Sequence, residues 1–206
     1  MAVLLHIDSS LFPLERSGSR QLTDAFRRAW EAAHPQGSVL YRDLAAAPVP
    51  HLDAATVTAD AVPAPREELI AEFEKADVVL IGAPMYNFTI PSTVKAWLDQ
   101  VILVGRTFGE GVAPSGKRAV VAASRGGSYA PGSPRAGFDF DTNYLEKVLG
   151  AGLGMQVEVI TRELTMAPVN PAMAELVPLA EESARQSLER AAESAREHVA
   201  LLGAQG

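Results

Sequence analysis

Residues 77–88 read DVVLIGAPMYNF. This stretch begins as an almost unbroken aliphatic run, which is typical of a strand buried on both faces of a parallel sheet. Such a strand usually gives way to small polar turn residues. Here it gives way to Met85, Tyr86 and Phe88, although only 6% of the chain is aromatic. The stretch therefore predicts a central strand whose carboxyl end carries bulky groups around Asn87.

Four further apolar runs predict the rest of a sheet. The runs at 2–8 and 118–124 are nearly continuous, whereas those at 38–44 and 156–161 alternate with polar residues, as strands nearer an edge do. Helical periodicity predicts helices over 19–33, 66–75, 91–104, 141–149 and 172–202, the last interrupted only by Pro178. This alternation predicts a doubly wound α/β sheet with helices on both faces. Five parallel strands favour the flavodoxin-like order 2-1-3-4-5 in one domain, 1–206.

Composition excludes several classes of protein. The chain has 18 Lys and Arg against 25 Asp and Glu, a net charge of −7, and no basic block, so nucleic acid is not an expected partner. It has no cysteine and four scattered histidines, so no metal site is expected, and His6 is expected to be a satisfied core residue. No apolar run approaches the roughly 20 residues that span a bilayer. With no signal-peptide pattern in MAVLLHID, a cytoplasmic protein without membrane contact is expected.

Three loops are predicted to form the functional site. In an open parallel sheet, ligands bind beyond the carboxyl ends of the strands, near the point where strand order reverses. In the order 2-1-3-4-5, this rule selects the loops after strands one, three and four. They read DSSLFPLERSGSR (8–20), PMYNFTIP (84–91) and SRGGSYAPGSP (124–134). Because these strands are neighbours, we expect the loops to face one cleft.

The first loop ends in Ser17, Gly18 and Ser19 at the start of a predicted helix. Hydroxyls and free backbone N–H groups at a helix N-terminus favour an anion. The loop has no lysine, so it suits a monophosphate better than a triphosphate with magnesium. Alternatively, one of these serines is an ordinary N-cap.

The other two loops suit a flat ligand. Met85, Tyr86 and Phe88 offer apolar surface to a planar ring, and an amide beside them suits a polar ring edge. Gly126 and Gly127 allow close approach of the backbone. The alternatives are a small satellite core for the aromatics and a plain turn for the glycines. With no nucleophile elbow or catalytic triad in the sequence, the chemistry is expected to belong to a cofactor.

The motifs DSS, SGS, APMYNF and SRGG, in this order, resemble the family of FMN-dependent NADH:azoreductases and quinone reductases over at least residues 3–161. The resemblance implies a flavodoxin-like homodimer with two FMN sites at its interface. It also implies ping-pong transfer of two electrons as hydride, with NADH or NADPH as donor and quinones or azo compounds as acceptors. No side chain is then catalytic, because flavin N5 carries the chemistry.

Residue roles are carried over by position in this sequence. The resemblance places the phosphate at Ser10, Ser17, Gly18 and Ser19. It places the isoalloxazine ring between two further groups, Pro84, Met85, Tyr86, Asn87 and Phe88 on one side and Ser124, Arg125, Gly126 and Gly127 on the other.

The chain also departs from the family pattern. The segment 107–117 is short and glycine-rich, and Ala151 stands where many members have an aromatic residue. Phe108, Tyr129 and Ala151 are the expected substrate pocket. The segment 45–65 is expected to be too proline-rich for a helix, and to be a lid, a partner contact or a plain surface loop. Other functions that remain open are an NAD(P)H:FMN reductase, a flavodoxin-like electron carrier and an interaction domain without flavin.

Overall fold

The sheet has the predicted order. The structure is a computed structural model that describes residues 1–109 and 117–204. Its strands form one five-stranded sheet in the order β2-β1-β3-β4-β5, and all neighbouring pairs are parallel. The strands are β1 (Val3–Asp8), β2 (Ser38–Asp43), β3 (Val78–Pro84), β4 (Arg118–Ser124) and β5 (Gln156–Arg162). The flavodoxin-like fold predicted from the sequence is confirmed.

Helices cover both faces of this sheet. They are α1 (Gly18–Ala33), α2 (Ala54–Thr58), α3 (Ala64–Lys75), α4 (Ser92–Val101), α5 (Thr142–Leu145), which continues as a π-helix (Glu146–Gly152), and α6 (Val177–Gly203). Short 3-10 helices lie at Leu14–Arg16, Ala136–Phe138, Ala167–Val169 and Pro171–Leu176. On one face α1 buries Phe26 and Trp30 in a core shared with α6. On the other, Phe73 of α3 and Trp97 of α4 pack together.

The register brings the predicted loops together. Ile81 of β3 lies between Ile7 of β1 and Val121 of β4, so these three strands end at one edge of the sheet. At that edge Pro84 pairs with Ser124, and the N–H of Met85 donates to the carbonyl of Ser124 at 2.8 Å. The loops after β3 and β4 therefore leave the sheet side by side.

The prediction that segment 45–65 is too proline-rich for a helix is wrong. Its prolines lie near its two ends, and the stretch 51–62 contains none. There Asp53 caps α2 by accepting a hydrogen bond from the N–H of Thr56 at 2.7 Å. The start of the segment is attached to the body of the protein, because Pro50 O accepts from the amide of Gln100 at 2.8 Å.

The helix boundaries differ from the prediction at three places. Pro178 does not interrupt α6 but lies in its first turn, where a missing N–H costs no helical hydrogen bond. The chain leaves α4 at Val101, whose carbonyl accepts from the hydroxyl of Thr107 at 2.5 Å. The helix predicted over 141–149 continues to Gly152 with π geometry. Most of the glycine-rich segment 107–117 lies outside the described residues.

Among the described residues, none of the helices combines the length and apolar character that crossing a bilayer requires.

Candidate functional site

Met85 is a shared wall of three cavities at the carboxyl edge of the sheet. Their volumes are about 460, 560 and 830 Å³. The predicted cofactor residues that line the first are Ser10, Ser17, Gly18, Pro84, Met85, Tyr86, Ser124 and Gly126. The second is lined by Asn87, Phe88 and Gly127 as well, together with Tyr129, and the third again by Tyr86 and Asn87. The three loops predicted from the sequence therefore meet at one place.

The start of α1 has both features that the sequence left open, a serine N-cap and backbone N–H groups that are free to bind an anion. Ser17 is the N-cap, because its Oγ accepts from the N–H of Arg20 at 3.2 Å. The N–H groups of Gly18 and Ser19, in the first turn, have no intrahelical acceptor and remain available to an anion. The buried hydroxyl of Ser19 lies 3.3 Å from that of Ser17.

Gly18 fits tightly between the start of α1 and the sheet. A Cβ atom there would lie 3.0 Å from Cβ of Ser124 and 3.2 Å from Cγ2 of Thr165. Contacts this short mean that a side chain at this position would force its neighbours to shift by a few tenths of an ångström. The glycine therefore allows the start of the helix to approach the end of β4.

Asn87 and Phe88 form the two central residues of a tight hairpin. The backbone groups of Tyr86 and Thr89 bond reciprocally, at 2.9 Å and 3.2 Å. Asn87 has φ of 50° and Phe88 φ of 72°, the sign that a type I′ turn requires at both positions. Positive φ is tolerated by asparagine but costs about 1–3 kcal/mol for a bulky residue. Phe88 is held there by Phe140, whose N–H donates to its carbonyl at 3.1 Å.

Tyr86 connects the second loop to the first. Its hydroxyl accepts from the N–H of Leu11 at 3.0 Å and lies 3.5 Å from Oγ of Ser10. Tyr86 thus lines both the 460 Å³ cavity at the start of α1 and the 830 Å³ cavity. It is a wall of the site as well as a support for the first loop.

The glycines after β4 lie against the segment that follows β5. The carbonyls of Gly126 and Gly127 accept from the N–H groups of Met166 and Leu164, each at 3.2 Å. A Cβ atom on Gly126 would lie 2.8 Å from Cγ of Met166. The glycine therefore lets this backbone lie close to Met166, and Gly126 also lines two of the three cavities.

Arg125 directs its guanidinium away from these cavities. Its Nη2 donates to Oδ2 of Asp139 at 2.7 Å and to Oγ1 of Thr142 at 2.8 Å. Its Nη1 lies 3.4 Å from Oε1 of Glu163. The side chain of Arg125 lines none of the three cavities. Its contact with a cofactor stays a prediction, and only the backbone of Arg125 could make that contact.

Comparison with known proteins gives the family. A family model described as a flavodoxin-like fold matches residues 2–199. An FMN-dependent NADH:quinone oxidoreductase of Streptomyces coelicolor is 57% identical over 209 residues, which cover 96% of this chain and 95% of that protein. The chain belongs to this flavodoxin-like oxidoreductase family. A protein of the same name from Streptomyces avermitilis is 55% identical, over 96% of this chain and 97% of its own length.

The solved structures agree in fold with this family. The azoreductase from Bacillus anthracis superimposes with a TM-score of 0.81 over 96% of this chain and 100% of its own, at 22% sequence identity. The family membership indicated by the motifs DSS, SGS, APMYNF and SRGG is thus confirmed.

Of the three residues expected to form the substrate pocket, only Tyr129 lines one of the three cavities. Tyr129 lines the 560 Å³ cavity with Met85. Phe108 does not, and its ring instead lies 3.8 Å from where a Cβ atom of Gly152 would be, beside Ala151. Phe108 is 38% exposed and Ala151 is also exposed. Neither Phe108 nor Ala151 lines any of the three cavities.

Several residues at the site were missed by the sequence reasoning. Arg162, at the end of β5, and Met166 line the 460 Å³ cavity, as does Arg16. Burial lowers the pKa of Arg162. The rule that selected the other loops would have found this segment, because β5 is the neighbour of β4 and ends at the same edge. The 830 Å³ cavity is also lined by His51, Lys95 and Tyr144, for which no such signal exists.

Residues 1–109 and 117–204 contain no group of three or more acidic or histidine side chains arranged to hold a metal ion. His6 is buried, as expected of a core residue, but its ring nitrogens have no hydrogen-bond partner of good geometry among these residues. Its Nε2 lies 3.4 Å from Oδ1 of Asp8. His6 also lines a cavity of about 770 Å³, so the expectation that its hydrogen bonds are satisfied stays a prediction.

Proposed function

We propose that this chain is an FMN-dependent NADH oxidoreductase that reduces quinones, with azo compounds as a second class of acceptor. The observation that carries the proposal is the meeting of the three loops around Met85, in a chain 57% identical to an FMN-dependent NADH:quinone oxidoreductase. The name of that relative specifies NADH, which favours NADH over NADPH as the donor.

The residues at the start of α1 fit the phosphate of FMN. Hydroxyl groups of Ser10 and Ser17 line one cavity with Arg16 and Arg162. Free backbone N–H groups at the first turn add the positive end of the helix dipole. A dianion would therefore meet hydrogen-bond donors and the positive charges of Arg16 and Arg162, with Glu15 also on the wall of this cavity. Gly18 and Ser19 complete the predicted phosphate site.

The residues around Met85 fit the ring. The side chains of Met85 and Tyr86 would cover apolar ring surface, the amide of Asn87 would bond its polar edge, and the backbone of Gly126 and Gly127 would approach its other side. When bound, FMN supplies the chemistry of accepting and donating hydride. The protein binds and orients the ring and keeps water from it.

We further propose a cytoplasmic homodimer as the active form. Val104 and Phe108, which are 78% and 38% exposed among the described residues and are joined by a β-bridge, form an exposed apolar face. A second copy would cover such a face, and the substrate pocket expected at Phe108, Tyr129 and Ala151 could then be completed between chains.

The function is tested on the purified chain loaded with FMN. We expect a flavin absorbance spectrum, bleaching on anaerobic addition of NADH, and recovery of the colour on addition of a quinone. NADPH and an azo dye are tested in the same way. A protein that takes up no FMN would contradict the proposal and favour an interaction domain, and slow bleaching by NADH would favour an electron carrier. Turnover only with excess free FMN would indicate an FMN reductase.

A matched pair of glycine variants tests the site itself. Gly18→Ala should weaken FMN binding severalfold, because the added methyl would displace the start of α1 from Ser124. Gly137→Ala is the control, since a Cβ atom there meets nothing within 4 Å. Equal FMN affinity in both variants would show that the phosphate does not bind at this end of α1.

A further inference from the structure

The loop between β1 and the first 3-10 helix is held from two sides. On the cavity side, the hydroxyl of Tyr86 accepts from the N–H of Leu11. On the opposite side, the guanidinium of Arg20 reaches back from the first turn of α1. The loop carries Ser10, which lines the proposed phosphate cavity. Any group that fixes this loop also fixes the position of that hydroxyl.

Arg20 makes a forked contact with the loop backbone. Its Nε donates to the carbonyl of Phe12 at 3.0 Å, and its Nη2 donates to the carbonyl of Ser10 at 2.8 Å. Two carbonyls separated by one residue are thereby pinned to one rigid, planar group. A planar fork of this kind is particular to arginine, because an ammonium group presents its donors from a single point.

The positive charge of Arg20 is paired with two carboxylates. Its Nη1 lies 3.1 Å from Oδ2 of Asp8, and its Nη2 lies 2.9 Å from Oδ2 of Asp43. The side chain of Arg20 is only 12% exposed. It lines a separate cavity of about 770 Å³ with Asp8, Tyr41 and Asp43, and it does not line the phosphate cavity. Arg20 is thus not placed to bind the phosphate directly.

The carboxylates themselves are firmly held. Oδ1 of Asp8 accepts from the hydroxyl of Thr23 at 2.8 Å, and its Oδ2 accepts from the hydroxyl of Tyr41 at 3.1 Å. Burial alone would raise the pKa of Asp43, but hydrogen bonds from Arg20 and from backbone N–H groups lower it. Both carboxylates are therefore charged at neutral pH. Without the guanidinium of Arg20, these two negative charges would lie next to the loop that is proposed to bind a dianion and would weaken its binding.

We infer that Arg20 is the positioning residue of the phosphate-binding loop: it fixes Ser10 through the carbonyls of Ser10 and Phe12 and neutralises Asp8 and Asp43, without touching the phosphate. The inference rests on the proposed function, because it concerns the same FMN site. It assigns this arginine to recognition of the phosphate end of the cofactor, and it leaves the ring end to the loops after β3 and β4.

The test compares FMN with riboflavin, which has the same ring but no phosphate. Dissociation constants of both are measured on the full chain for wild type, Arg20→Gln and Arg20→Lys. We expect FMN binding to weaken by about tenfold or more in both variants, as the loss of charge-assisted hydrogen bonds implies. Riboflavin binding should change by no more than about threefold, a selectivity that a general loss of structure would not produce.

Arg27→Gln is the matched control for charge. Arg27 lies two turns further along α1, is paired with Asp24 and Glu31, and makes no hydrogen bond or ion pair with residues 9–12. This variant has the same net charge as Arg20→Gln and should bind FMN like the wild type.

The outcomes separate the two proposals. If the wild type binds neither flavin, the proposed function is wrong and the inference falls with it. If the wild type binds FMN and Arg20→Lys binds it equally well, charge alone suffices and the positioning role is wrong. Equal loss of FMN and riboflavin affinity would likewise overturn it, since Arg20 would then support the fold in general. Should Arg20→Gln fail to fold by circular dichroism, Arg20→Lys, which keeps the charge beside Asp8 and Asp43, decides alone.

Discussion

Asn87 and Phe88 place two positive φ angles at the point where the proposed flavin ring would lie. Asparagine adopts this conformation more readily than most residues, whereas phenylalanine does so at a cost. Phe88 is 40% exposed, so burial does not fully account for it. Its ring lies 5.4 Å from that of Phe138, and the pair gives the turn a fixed orientation. The backbone strain is thus located at Phe88, directly after Asn87, whose amide is expected to contact the cofactor.

Two substitutions at Asn87 separate its side chain from its backbone. Asn87→Gly keeps the positive φ and removes the amide, while Asn87→Ala removes the amide and adds strain of about 1 kcal/mol. We expect both to weaken FMN binding by similar factors, because the amide is the proposed contact. The measurement is FMN titration by fluorescence. Wild-type affinity in Asn87→Gly would show that only the shape of the turn matters.

The start of α5 lies in a cluster of charged side chains. Oδ1 of Asp139 accepts from the N–H of Thr142 at 3.1 Å, and its Oδ2 binds Arg125. Asp141 is fully buried, and its carboxylate oxygens have no donor among the described residues. Burial raises the pKa of Asp141 to about 7, with a smaller rise from Asp139, against the opposing charge of Arg125. This carboxyl group is therefore protonated in the folded protein well above its usual range.

Stability should consequently depend on pH through Asp141. Between its unfolded pKa of 3.8 and its folded pKa of about 7, the folded state holds a proton that the unfolded state has lost. Stability from this group is thus present at low pH and lost as pH rises through 7. The unfolding free energy of Asp141→Asn minus that of the wild type should therefore be larger at about pH 8 than at about pH 5, by on the order of 3 kcal/mol. Denaturant titrations at the two pH values measure it, and a constant difference between the two proteins would contradict it.

The elements differ in how far the sequence predicts them. Buried aliphatic runs identified β1, β3 and β4, and the alternating runs placed β2 and β5 at the edges, because the pattern reflects which faces are covered. The short helix α2 was missed because its cap at Asp53 outweighs the prolines nearby.

For the site, the residues of the three loops were predictable because strand order fixes which loops meet. The positive φ of Phe88 and the partners of Arg125 were not, since both depend on contacts with residues 138–163, far away in the chain. The roles of the site residues toward FMN stay predictions.

At the scale of the whole molecule, the proposed homodimer is tested through its apolar face. Val104→Glu places a charge at a residue that is 78% exposed, so it should leave the fold intact and dissociate the dimer. Leu201→Glu is the control, on α6 at the opposite face of the sheet. Sedimentation velocity should give twice the chain mass for the wild type and for Leu201→Glu, and the chain mass for Val104→Glu. A monomeric wild type would contradict the dimer, and a dimeric Val104→Glu would move its interface elsewhere.

The attachment of the loop at residues 9–12 to both Tyr86 and Arg20 bears on how affinity is reached. A loop already held in its bound shape loses little conformational entropy when a ligand arrives, so few contacts suffice for tight binding. The same preorganisation makes the length of this loop critical, because an inserted residue could not satisfy the carbonyl contacts of Arg20 and the N–H contact of Tyr86 at once. The loop is therefore a poor place to alter this protein, whereas Gly137, where a Cβ atom would meet nothing within 4 Å, has room for a side chain.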